Sequence, residues 1–105
     1  MFHPATTIVL VGEQHLRAKV CALVEAEGAK GYTVLDCSGK GSHGLHPGQT
    51  RPSVIQGFAL SRIEVIVADR AAAERIAETV AERYLNEQSG IVYIDQVEIL
   101  RPEKF

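Results

Sequence analysis

The sequence predicts an α+β domain of the ferredoxin-like type, built in the order βαββαβ with a long loop between the second and third strands. Two observations lead to this prediction. The spacing of apolar residues changes twice along the chain from the short runs of a β-strand to the period of a helix. One long aperiodic segment divides the chain into two β-α-β halves. Two such halves with right-handed connections form a four-stranded antiparallel sheet with both helices on one face.

Length and composition predict a single domain, residues 1–105, located in the cytoplasm. A chain of 105 residues, 46% of them hydrophobic, is ordinary for one globular domain. Its net charge of −2 argues against general nucleic-acid binding. The sequence has no run of about 18 apolar residues that would insert in a membrane, and its start lacks the features of a signal peptide. Cys21 and Cys37 are far apart and outside any CxxC motif, so they are expected to be reduced thiols.

The first half of the chain predicts strand, helix, strand. The β-branched run at 6–11 indicates a strand that is buried on both faces and ends at Gly12. A helix is predicted over 13–27 and ends at Gly28, before a second strand over 32–37. The apolar stripe of this helix consists of Leu16, Val20, Leu23 and Val24.

The second half repeats the pattern. Alternation over 59–68 predicts a strand with one wetter face, and Asp69 is the expected N-cap of the next helix. After a turn at 86–90, residues 91–100 are the predicted last strand and 101–105 a short tail. The stripe of the second helix consists of Ala73, Ile76, Ala77, Val80, Ala81 and Tyr84.

The sheet face away from the helices is expected to be covered by another copy of the chain. Successive side chains of a strand point to opposite faces of the sheet. Either Ile8 and Leu10 or the residues next to them therefore have to lie on that face. An uncovered apolar face is unfavourable in water, so we expect an oligomer.

Residues 38–58 form the predicted loop, and its first part is rich in glycine. Residues 39–44 read Gly-Lys-Gly-Ser-His-Gly, which matches G-x-G-x-x-G, but the residues that follow do not open a helix as a dinucleotide-binding motif requires. A Walker A motif is also excluded because glycine, rather than serine or threonine, follows Lys40. Closely spaced glycines nevertheless allow backbone N–H groups to converge on an anion. Lys40, Ser42 and His43 add a charge and hydrogen-bonding groups suited to phosphate or bicarbonate. The alternative is a glycine-rich surface loop without a ligand.

Other candidate groups are weaker. His43 and His46 have a spacing that allows metal binding, but a closed zinc site needs four ligands and no cysteine lies near them. Asp36, Asp95 and Glu98 have no partner that the sequence identifies. No nucleophile with a base is evident, so a catalytic function is not predicted.

Two segments resemble the PII family of signal-transduction proteins. The stretch Gly31-Tyr32-Thr33-Val34, followed by Ser38-Gly39-Lys40-Gly41-Ser42-His43, is similar to the start of that family's T-loop. The Gly-Lys-Gly-Ser form is similar to the PII-like branch associated with bicarbonate transport and carboxysomes. The segment 89–94 resembles the last strand of the same branch.

The resemblance implies a homotrimeric regulator that binds adenine nucleotides in the clefts between subunits. ADP and AMP are the expected ligands, with ATP, cyclic AMP and bicarbonate as further candidates. The T-loop, here 38–58, would change its order with the ligand and contact a partner such as a membrane transporter for bicarbonate. Five loop residues would contact phosphate or bicarbonate, while four residues elsewhere would line or close the cleft. The loop set is Gly39, Lys40, Gly41, Ser42 and His43, and the cleft set is Gly31, Thr33, Gly90 and Arg101.

The chain departs from the nitrogen-regulating branch in three places. The loop before the last strand is reduced to 86–90 and lacks the phosphate-binding lysine, which argues against tight ATP binding and 2-oxoglutarate sensing. Residues 38–58 contain no tyrosine for uridylylation, and the tail has no cysteine pair. Two alternatives remain open: a slow nucleotide phosphohydrolase, and a metal-binding trimer of the copper-tolerance type.

Overall fold

Four strands and two helices follow one another in the predicted order. The structure is a computed structural model in which residues 1–39 and 60–105 are described. The strands are β1 (His3–Glu13), β2 (Thr33–Cys37), β3 (Leu60–Val67) and β4 (Gly90–Ile99), and the helices are α1 (Arg17–Ala26) and α2 (Arg70–Tyr84). A short 3₁₀ turn at Gln14–Leu16 precedes α1, and a second one at Pro102–Lys104 follows β4.

The four strands form one antiparallel sheet in the order β2-β3-β1-β4. The first and third strands are adjacent in the centre, and each α-helix connects a central strand to an edge strand. This is the ferredoxin-like arrangement that the sequence predicts, with both helices contributing to one core against the sheet. The predicted helix stripes lie in that core, where Val20, Val24, Ile76 and Val80 are each 1% exposed.

The boundaries of β1 and α1 differ from prediction. Gly12 does not end the first strand, because β1 has a neighbouring strand on each side and its ladders extend through Gly12, which pairs with Ser61 and with Gly90. The first turn predicted for the helix over 13–27 is instead the 3₁₀ turn, and no side chain of the described residues caps either this turn or α1. Hydrogen bonds across the sheet therefore determine where β1 ends.

Both predicted helix-boundary signals are confirmed, one at the start of α2 and one at the end of α1. The Asp69 carboxylate accepts a hydrogen bond from the backbone N–H of Ala71 at 3.1 Å, as an N-cap does. Gly28 has a φ of +96° and its N–H donates to the carbonyl of Glu25, which ends α1 in the conformation that favours glycine.

The sheet has two chemically different faces. Residues Ala5 to Leu10 of β1 are all buried, which confirms that this strand is covered on both sides. Ile8 and Leu10 belong to the core beneath the helices. Their neighbours Thr7 and Val9 therefore lie on the opposite face, which we call the open face. It carries a depression of about 280 Å³.

Candidate functional site

The predicted ligand-binding residues lie at two separate ends of the sheet. At the loop end, β1 and β2 finish and β3 and β4 begin, so this end flanks residues 40–59. At the tail end, β4 finishes and the chain continues into residues 100–105. The two ends differ in which of the predicted residues they hold.

The loop end holds Gly39 and Gly90. Gly39 follows β2 by two residues, and within 1–39 and 60–105 a Cβ built on it would contact the side chain of Leu60 at 3.7 Å and nothing else. Gly90 is the first residue of β4. The remaining predicted ligands, Lys40, Gly41, Ser42 and His43, lie outside the described residues.

Gly90 has a packing role that the sequence did not indicate. Its φ is +155°, and a Cβ at this position would lie 2.9 Å from the carbonyl oxygen of Val11 and 3.1 Å from Cδ2 of Leu85. The start of β4 can therefore approach β1 only without a side chain. A contact between Gly90 and a ligand stays a prediction.

The tail end holds Arg101, whose backbone has an unusual conformation. Its φ of 59° is the single positive value among the non-glycine residues of 1–39 and 60–105. A 3₁₀ turn follows, in which the N–H of Lys104 donates to the carbonyl of Arg101 at 3.1 Å. Lys30 Nζ also donates to the carbonyl of Glu103 at 3.2 Å, so the tail lies within reach of the segment that precedes Gly31.

Gly31 and Thr33 lie at the start of the edge strand β2. Both residues are exposed. Thr33 pairs with Glu64, which places it on the open face. No atom of the described residues lies within 4 Å of a Cβ built on Gly31, so this position has room for a side chain or a ligand.

One copy of the chain does not bring these residues together. β4 has ten residues, which at about 3.3 Å per residue span about 30 Å from Gly90 to Ile99, and Arg101 lies two residues beyond that end. That distance exceeds the reach of a nucleotide bound to one end. A site that uses residues from both ends has to form between the loop end of one copy and the tail end of another.

The principal charged cluster of the loop end was missed by the sequence analysis. The Arg17 guanidinium contacts Asp36 and also donates to the hydroxyl of Ser61 through Nε at 3.0 Å and through Nη2 at 2.7 Å. The sequence identified no partner for Asp36, and the structure shows that Arg17 is one. Arg17 is 19 residues from Asp36 and 44 from Ser61, so no local spacing could reveal the cluster.

The two cysteines are free, as predicted. Burial raises the pKa of the Cys21 thiol. The hydrogen bond from Tyr32 to the Glu25 carboxylate, 2.9 Å long, raises the pKa of Tyr32 to about 12. Both groups are therefore protonated at neutral pH, and neither is activated as a nucleophile.

The described residues do not form a metal centre. Within 1–39 and 60–105, no three histidine, cysteine, aspartate or glutamate side chains approach one another closely enough to hold an ion. His43 and His46 lie outside these ranges. The longest described helix, α2, has 15 residues, and no helix in the described part of the chain is long and apolar enough to cross a membrane.

Comparison with known protein families identifies the family of this chain. A family model described as nitrogen regulatory protein P-II matches residues 5–104. The chain belongs to the P-II family, which confirms the resemblance found at the start of the T-loop and in the last strand.

Solved structures with this fold include PII-like proteins with bound ligands. A protein from Thermus thermophilus assigned to the PII-like signaling class is 30% identical, with a TM-score of 0.77 over 99% of this chain and 97% of that one. CPII from Thiomonas intermedia K12, bound to ADP and bicarbonate, is 26% identical with a TM-score of 0.81, over 100% and 97% of the two chains. CPII bound to ADP, AMP and bicarbonate is 24% identical, with a TM-score of 0.77 over 100% of both chains, a likeness of fold.

Proposed function

We propose that this P-II family member is a non-catalytic cytoplasmic sensor of adenine nucleotides. ADP and AMP are its main ligands, and bicarbonate is a second ligand. The observation that carries the proposal is the division of the predicted site between the two ends of the sheet. A homotrimer would place the loop end of one subunit beside the tail end of the next, and the cleft between them would receive the nucleotide.

The open face supports assembly of the chain with itself. Leu35, Ile91 and Tyr93 lie on this face and are 56%, 58% and 42% exposed. The buried Nε of Arg62, on the same face, has no hydrogen-bond partner among the described residues. Exposed apolar side chains together with an unsatisfied buried donor are typical of a surface that a further subunit covers.

The ligand assignment is supported by CPII, whose structure contains ADP and bicarbonate and whose fold matches this chain. Residues 38–58 supply the glycines, lysine and hydroxyl that suit a phosphate or bicarbonate. We propose that the nucleotide orders this loop. The ordered loop then gains or loses a protein partner, for which a bicarbonate transporter or a carboxysome component is the candidate class.

Replacing Lys40 by alanine should weaken ADP binding by about 1–3 kcal/mol, because a lysine that contacts a phosphate makes a charge-assisted hydrogen bond. Calorimetric titration of both proteins measures this difference. The control is Lys19→Ala, which removes an exposed lysine from α1 without touching the loop. Equal ADP affinity in the native protein and the Lys40→Ala variant would exclude Lys40 from the site.

A further inference from the structure

The cluster of Arg17, Asp36 and Ser61 cross-links three elements at the loop end. Arg17 is the first residue of α1, Asp36 is the last but one of β2, and Ser61 is the second of β3. The guanidinium donates to Ser61 through two of its nitrogens and to the Asp36 carboxylate. Gln14 Nε2 also donates to Asp36, at 3.3 Å.

The cluster lies at the root of the segment 40–59. Asp36 and Ser61 face each other across the β2–β3 ladder, one rung before the final pair formed by Cys37 and Leu60. The chain leaves the sheet after this final pair and returns to it there. Arg17 therefore contacts both of the strands that residues 40–59 connect, next to the point where that segment begins and ends.

Local energetics do not favour an arginine at this position of a helix. The N-terminus of an α-helix carries a partial positive charge, and the first turn of α1 contains no acidic residue. The Asp36 carboxylate offsets that repulsion. Ser61 is 2% exposed, so loss of Arg17 would leave its buried hydroxyl without these two donors. The residues are thus arranged to hold the strand ends to the helix.

We propose that Arg17 is a positioning residue that fixes the ends of β2 and β3 to α1 and thereby sets the affinity of the proposed nucleotide site at the loop end for a phosphate-bearing ligand. The first half of this proposal concerns the free protein alone. The second half rests on the proposed function, in which Lys40 and its neighbours bind the nucleotide. A guanidinium suits the task because its planar set of donors can contact both strands at once.

Hydrogen exchange of the ligand-free protein tests the first half. Arg17→Met retains the aliphatic stem and removes the donors. We expect amides of residues 35–37 and 60–62 to exchange about tenfold faster or more, because the hydrogen bonds that hold both strand ends to α1 are lost. Arg17→Lys should show a similar acceleration, because lysine retains the positive charge but lacks the planar set of donors of the guanidinium.

The matched control is Arg75→Met, which removes another ion pair of the surface. Arg75 Nε lies 3.0 Å from Glu27 Oε1, in a contact between α2 and the end of α1. The Arg75→Met variant should leave hydrogen exchange of the amides of 35–37 and 60–62 unchanged. Equal exchange in the native and Arg17→Met proteins, or equal acceleration throughout β1 and the strand ends, would overturn the proposal, since the second result would mean general loss of stability.

ADP titration at a temperature well below the unfolding midpoints of the variants tests the second half of the proposal. Arg17→Met should bind ADP at least tenfold more weakly than Arg75→Met when both are fully folded, an effect that a merely structural residue would not produce. Equal affinity in the two variants would overturn the link to ligand binding. If the native protein binds no ADP, the proposed function and this second half fail together, while the exchange result still decides the first.

Discussion

Replacing Gly90 by alanine is expected to lower the free energy of unfolding by about 2–6 kcal/mol, the sum of backbone strain and overpacking at about 1–3 kcal/mol each. The added Cβ would lie 2.9 Å from the Val11 carbonyl oxygen, which is backbone in the central strand and cannot move alone. The φ of +155° is also one that residues with a side chain rarely adopt. The start of β4 would have to separate from β1, and the pairing of Gly90 with Gly12 would be lost.

Denaturant titration measures this loss, and Gly31→Ala provides the matched control. A Cβ added to Gly31 would have no atom within 4 Å in the part of the chain that the structure describes, and the φ of this residue is ordinary. The same substitution there should therefore change stability by less than about 1 kcal/mol. A loss below about 1 kcal/mol at Gly90 would show that the strand start adapts easily. The packing role assigned to this glycine would then be wrong.

Placing charge on the open face should convert the proposed homotrimer to monomers. The double variant Leu35→Asp/Ile91→Asp adds two carboxylates per chain to side-chain positions that are more than half exposed in a single subunit. A monomer tolerates them in water. An assembly that covers the open face would have to desolvate them beside like charges from other subunits, at a cost of several kcal/mol.

Light scattering coupled to gel filtration measures the change in mass. The native protein should have three times the 11.4 kDa mass of one chain, and the variant the mass of a single chain. The control is Ala22→Asp/Ala26→Asp, which adds the same charge at exposed positions of α1. A native protein that is already monomeric would contradict the proposed homotrimer. A variant that remains trimeric would show that the open face is not where the subunits meet.

Much of the fold follows from local patterns. The periods of the apolar residues predicted the strands and helices in the right order, and short signals such as Asp69 and Gly28 marked helix ends correctly. The errors occurred where long-range pairing overrides local preference. The two neighbours of β1 extend it through Gly12, which looks like a strand end when the sequence is read locally.

The candidate site was only partly predictable. Motif resemblance pointed to residues of both sheet ends, and the strand predicted over 91–100 already places Gly90 and Arg101 at the opposite ends of an element about 30 Å long. The contact of Arg17 with Asp36 and Ser61, and the close approach of Gly90 to Val11, depend on strands that are distant in sequence. Such contacts arise from tertiary packing, so a single sequence does not specify them.

Calorimetric titration of the native protein with ADP, in the absence and presence of bicarbonate, tests the central claim most directly. A nucleotide sensor of the proposed kind should bind ADP in a saturable manner, and bicarbonate should tighten that binding if the two ligands are coupled through the same cleft. ADP binding that bicarbonate does not affect would limit the protein to sensing nucleotides. Absence of binding to ADP, AMP and ATP under both conditions would contradict the proposed function.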